Sequence, residues 1–95
     1  MSVDALMLAL RTTCNPAVAG DLSVEVDLRI EDDRVALTVA DGQISMRRGP
    51  AQHPDATITA DVTSLRALVY RGTEGPGVRI DGNQAAVRRL LAALR

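Results

Sequence analysis

The 95 residues contain no lysine, phenylalanine or tryptophan, and only one cysteine, one histidine and one tyrosine. Each shortage closes off a class of function. A single thiol, Cys14, cannot form an internal disulfide, which suits a reducing cytoplasm and excludes a disulfide-stapled secreted scaffold. One His and one Cys cannot make a zinc site, and Glu31-Asp32-Asp33 lacks the spacing and glycine of a calcium loop. No metal and no cofactor is therefore expected. Cys14 and His53 are also the only nucleophile and base of the usual kind, on separate elements with nothing in their spacing to join them. The chain reads as non-enzymatic. "GPG" at 75–77 is not a phosphate loop, having no Lys after it. With Tyr70 as the sole aromatic there is no stacking platform for nucleic acid, and a net charge of −1 provides no field to hold a polyanion. No apolar run approaches the roughly 20 residues that cross a bilayer, and the opening residues do not read as a secretory signal.

What is present is an ordinary globular balance, 46% apolar and 24% charged, in a length that suits one domain over residues 1–95. All eleven cations are Arg, beside fourteen Ala, which reflects coding composition rather than a binding device. Val3, Leu6, Met7 and Leu10 form one stripe of a helix that Asn15-Pro16 should end. Leu22, Val24, Val26, Leu28 and Ile30 alternate with Ser23, Glu25, Asp27 and Arg29, a half-buried strand with one wet face. Val35, Leu37 and Val39 repeat the pattern. Asp41-Gly42 then marks a two-residue hairpin before Ile44 and Met46. "GPAQHP", residues 49–54, is breaker-rich and reads as a surface loop.

A fourth strand carries Ala56, Ile58 and Ala60 inward. Asp61 caps a helix with a Val62, Leu65, Leu68 and Val69 stripe, and Gly72 stops it. Val78 and Ile80 make a fifth strand. Gly82 can take backbone angles closed to other residues, and Asn83 can cap a last helix by accepting from the amide of Ala85 or Ala86. That helix carries Val87, Leu90, Leu91 and Leu94 inward and Arg88, Arg89 and Arg95 outward. The predicted fold is α+β: a five-stranded, mostly antiparallel sheet with three helices packed on one face. A helix between the fourth and fifth strands allows a crossover there, right-handed if those two strands run parallel.

The stretch "PDATITADVTSLRALVYRG … GVRIDGNQAAVRRLLAALR" resembles the sterol carrier protein type 2 family. The likeness runs through Asp55, Thr57, Ile58, Leu65, Leu68, Gly72, Gly77, Val78, Ile80, Gly82, Leu90 and Leu91, with Asn83 in place of the commoner Asp. It implies a cavity between sheet and helices for lipids or other apolar molecules. The chain is also similar to the C-terminal domain that follows a winged helix in some bacterial transcriptional regulators. That likeness implies an effector-binding or dimerisation role, with a free-standing lipid or sterol carrier as the alternative. One short helix of the family, between Gly72 and Gly77, is replaced by "TEGPG", which argues against a deep lipid tunnel.

Size sets a further bound. A drug-sized site begins near ~300 Å³, and an empty void costs on the order of 24 cal/mol per Å³. The product, ~7 kcal/mol, rivals the ~5–15 kcal/mol that stabilises a whole domain. A small site, an occupied or wet one, or one completed by a second subunit is expected instead. Ile44, Met46, Leu68, Val69, Leu91 and Leu94 are the candidate lining, since they fall on inward stripes near loops; all six also fit a plain core. Met46 is the most adaptable of them. Arg34, Arg47 and Arg48 together suggest a small basic spot, though a solvated charged face explains them as well. Tyr70 either meets a ligand at the mouth or packs its ring and leaves the hydroxyl wet. Ala5, Leu8 and Ala9 lie outside the main stripe of the first helix, where they widen its buried face or meet a partner in a homodimer.

Overall fold

The computed structural model describes residues 3–13, 15, 17, 20–72 and 75–94. Cys14, Pro16 and Arg95, which entered the sequence expectations, lie outside that set, as do Ser2, and Thr73 and Glu74 of the "TEGPG" link.

The chain begins with helix α1, Val3–Thr13. Three strands follow as a meander: β1, Val24–Ile30; β2, Asp33–Ala40; and β3, Gln43–Arg48. Two tight turns join them. Asp41 and Gly42 both have positive φ, 54° and 75°, which is the geometry a two-residue primed turn requires. Strand β4, Ala56–Ala60, runs into helix α2, Val62–Arg71. There the Asp61 carboxylate accepts from the Ser64 amide at 2.7 Å, and Gly72, at φ 69°, ends the helix in the left-handed region. Strand β5, Arg79–Gly82, leads into helix α3, Gln84–Leu94. Among the described residues of the Gly72–Val78 link none is helical.

The sheet order is β3-β2-β1-β4-β5. Three of its four pairings are antiparallel; the parallel one joins β1 to β4, with Val26 beside Ala56 and Leu28 beside Ile58. The helical connection from β4 to β5 is therefore not a parallel crossover. It returns the chain antiparallel beside the strand it left, with Ile58 facing Ile80.

Helices α1, α2 and α3 sit on one face of the sheet and share its core. Leu6 and Leu10 of α1, Leu65, Leu68 and Val69 of α2, and Val87, Leu90, Leu91 and Leu94 of α3 share one core with Val24, Val26, Leu28, Val35, Leu37, Val39 and Ile58. Period 2 on the strands and period 3.6 on the helices thus converge on one apolar layer. Each fully buried Leu or Val contributes roughly 1.5–3 kcal/mol by leaving water. The Asn15 amide donates to the Ala93 carbonyl at 2.8 Å, tying the end of α1 to the last turn of α3.

The opposite face is not uniformly wet, and here the sequence expectation needs correcting. Asp27 alternates with Val26 and Leu28 and was expected in solvent, yet it is only 2% exposed. The reason lies in the 49–54 loop. The Gly49 amide donates to the Arg34 carbonyl at 2.8 Å at one end of the strands, and the Asp55 amide donates to the Glu25 carbonyl at 2.7 Å at the other. Between them the His53 amide donates to Glu25 Oε2 at 3.1 Å. The loop is a strap running over β2 and β1, required because β3 and β4 stand at separate places in a sheet whose order is β3-β2-β1-β4-β5. Ala36, beside Asp27 in the β1–β2 register, is buried with it.

Candidate functional site

Where α2 ends, α3 and β5 diverge enough to leave a cleft of about 170 Å³. Its lining comes from three elements: Leu68 and Gly72 at the end of α2, Ile80 on β5, and Gln84, Val87, Arg88 and Leu91 on α3. The α3 residues follow i, i+3, i+4, i+7 spacing, so they occupy one flank of the helix. Val87 and Leu91 make the floor side of that flank, while Gln84 and Arg88 are exposed. The cleft is thus apolar at depth and carries an amide and a guanidinium at its rim.

Local chemistry holds the α3 wall in place. Gly82 has φ 99°, and a β-carbon there would lie 2.6 Å from the Asp55 carbonyl oxygen and 2.8 Å from the Ala56 α-carbon. Only glycine admits β5 so close to the start of β4. The Asn83 amide then donates to that same Asp55 carbonyl at 2.9 Å, and Asn83 Oδ1 accepts from the Ala86 amide at 3.1 Å. The strand-to-helix turn that brackets the cleft is therefore anchored to the neighbouring strand and capped as the sequence indicates.

Of the six residues expected to line a site, the structure brings Leu68 and Leu91 together in this cleft, 3% and 6% exposed. Val69 and Leu94 are buried in the adjoining core and do not border it. Ile44 is half-buried against the core, and Met46 is buried and also borders a polar hollow of about 200 Å³ with Glu25, Ala36, Thr38, Ser45 and Arg47. Both lie on β3, at the other edge of the sheet from β5. Four strand spacings separate those edges, about 19 Å. Ile80, Val87, Gln84 and Arg88 were not among the sequence candidates. The signal that marks three of them is the shared flank with Leu91; Ile80 needed the knowledge that β5 lies at the edge.

The other polar candidates resolve into structural pairs. Arg48 bonds Asp4 of α1 at 2.7 Å and Asp33 of β2 at 2.8 Å, and Arg34 bonds Asp27 at 2.6 Å. The basic spot suggested by Arg34, Arg47 and Arg48 is therefore dispersed, with two of its three cations neutralised. Burial pushes the Asp27 carboxyl toward its neutral form, but Arg34, Arg29 and the Ala51 amide of the strap together hold it below its ordinary value of 3.8. Asp27 Oδ1 is buried without a well-formed hydrogen bond among the described residues. His53 is exposed, and Cys14 is outside the described residues. Among the described residues no group of three or more His, Cys, Asp and Glu is placed to hold a metal ion. No described helix is long and apolar enough to cross a membrane.

Comparison with known proteins places this architecture. The chain is similar to the stereoselective inverting sec-alkylsulfatase Pisa1 from Pseudomonas sp., with a TM-score of 0.86 and 19% identity over 98% of this chain. It spans 16% of that chain's length. It is also similar to the ubiquinone synthesis protein UbiJ-SCP2, at TM-score 0.67 and 16% identity over 96% of this chain and 86% of that one. A third likeness is to palmitated SCP2L2 from Aedes aegypti, at TM-score 0.67 and 13% identity over 100% of this chain and 96% of that one. These likenesses establish a sterol-carrier-like α+β fold. No curated protein matches the sequence. The alkyl sulfatase C-terminal family, however, matches residues 1–95 from end to end, and the chain belongs to that family.

Proposed function

We propose that this chain is a non-enzymatic binding domain for an apolar molecule or a lipid chain, seated in the cleft between α2, β5 and α3. The observation that carries the reading is the composition of the cleft: Leu68, Ile80, Val87 and Leu91 inside, Gln84 and Arg88 at the rim. Its volume is about 170 Å³. It admits a short apolar segment as it stands. A longer guest would have to part α2 from α3, meeting Val69 and Leu94 next, and Ile44 and Met46 only after crossing the whole sheet.

The setting is the finer part of the proposal. Membership of a family named for the C-terminal part of alkyl sulfatases supports an accessory role beside a sulfatase catalytic unit. The near-complete overlap with UbiJ-SCP2 and palmitated SCP2L2 supports a free-standing carrier as the second reading. An effector-binding domain of a winged-helix transcriptional regulator draws no support from either. A cytoplasmic setting rests on the single cysteine alone. Self-association rests on Leu8, which is 62% exposed on the outer side of α1. We assign no direct nucleic-acid binding to the domain.

The test is titration with the neutral apolar fluorophore N-phenyl-1-naphthylamine, using the native chain and Leu91→Trp, whose indole fills the cleft. Saturable enhancement with the native chain and its loss in Leu91→Trp is the expected result. No enhancement, or equal enhancement by a folded Leu91→Trp, overturns the assignment.

A further inference from the structure

Charge is distributed unevenly over the helical layer. The 21 residues of α2 and α3 hold four Arg and no Asp or Glu, a charge of +4 in a chain whose net charge is −1. The remainder therefore carries −5. Arg66, Arg71 and Arg88 are exposed and form no ion pair with a described carboxylate, while Arg89 is held by Asp21 at 2.8 Å. Among the described carboxylates flanking these helices, Asp61 caps α2 and Asp81 pairs with Arg79 at 3.1 Å.

Two of these cations lie beside the cleft. Arg88 lines the cleft, and Arg71 precedes Gly72, which also lines it. Arg66 stands with Thr63, Ala67 and Tyr70 on the outer face of α2, around a shallow hollow of about 160 Å³. Tyr70, 41% exposed, is an amphipathic ring on this same face. A helical face that carries exposed guanidiniums and a Tyr beside a partly apolar cleft has the chemistry of a surface that meets anionic headgroups and apolar chains together.

We infer that the α2–α3 face docks on an anionic lipid layer, with Arg66, Arg71 and Arg88 on the headgroups and the cleft mouth turned toward the chains. The inference rests on the cleft as the seat of an apolar chain and adds the partner that presents it. A nucleic acid would supply the negative charge but nothing for the apolar opening, and the face lacks the aromatic platforms such binding uses.

Vesicle co-sedimentation tests this with phosphatidylglycerol vesicles, phosphatidylcholine vesicles, and a DNA duplex as a competing anion. Each Arg near an anionic surface strengthens binding about five-fold, so the folded triple variant Arg66→Gln/Arg71→Gln/Arg88→Gln should bind phosphatidylglycerol roughly a hundred-fold more weakly. Arg29→Gln/Arg79→Gln, on the opposite face of the sheet, should bind as the native chain does. Binding should also fall away at 1 M salt, where screening acts within about 3 Å. Equal binding to both vesicles, equal loss in both variants, or release from phosphatidylglycerol vesicles by the DNA duplex overturns the inference. Uptake of the neutral fluorophore, measured on the same samples without vesicles, separates the two claims. Intact uptake with no phosphatidylglycerol preference sinks the docking face alone, whereas absent uptake sinks the cleft.

Discussion

The Asn83 amide donates a 2.9 Å hydrogen bond to the Asp55 carbonyl, where the end of β5 meets the start of β4. That carbonyl is also the atom a β-carbon on Gly82 would strike, at 2.6 Å. One backbone oxygen thus fixes both the residue type at 82 and the start of α3, the helix that walls the cleft.

Gly82→Ala should be among the most damaging single-methyl changes in the chain. The strained φ alone costs on the order of 1–3 kcal/mol, and the backbone clash adds to it. Urea unfolding should show a midpoint lowered accordingly, together with weaker fluorophore uptake as α3 shifts.

Asn83→Ala removes the cap without touching the core, and should cost about 1 kcal/mol. In a domain of this size that is a fall of roughly 4–8 °C in Tm. Asn83→Asp and Asn83→Ser keep an accepting oxygen for the Ala86 amide and should stay close to the native chain by calorimetry.

The Asp27 carboxyl, held below its ordinary value, makes a pH-dependent contribution of definite sign. A lowered folded-state value means the contribution is complete above pH 3.8, the ordinary value, and is lost as pH falls through the lower folded-state value. Asp27→Asn should cost roughly 1–2 kcal/mol at neutral pH, at the modest end because Arg29 and Arg34 are half-exposed and regain water. The difference between native and Asp27→Asn should stay flat above about pH 5 and shrink below pH 4. A difference that grows on acidification would contradict the arrangement.

Much of this fold was legible in the chain because local and global signals agree. The Val24–Ile30 alternation, the Asp41-Gly42 turn, the Asp61 and Asn83 caps and the Gly72 stop each depend on neighbours within four residues, and each appears in the structure. What could not be read depends on the order of strands in space. Asp27 looks solvated until the 49–54 strap crosses over it, and the parallel β1–β4 pair follows from that same crossing. The candidate site divides along the same line. Leu68 and Leu91 were visible on helical stripes, whereas Ile80 joins them only because β5 ends the sheet next to α2 and α3.

The central claim is that an apolar guest sits between α2, β5 and α3, and methyl NMR reads it most directly. Titration with 1-decanol, a neutral chain, should move the Leu68, Ile80, Val87 and Leu91 methyl resonances saturably while those of Val24 and Leu37, deeper under the sheet, stay in place. Shifts centred on other residues, or none at saturating decanol, would contradict it.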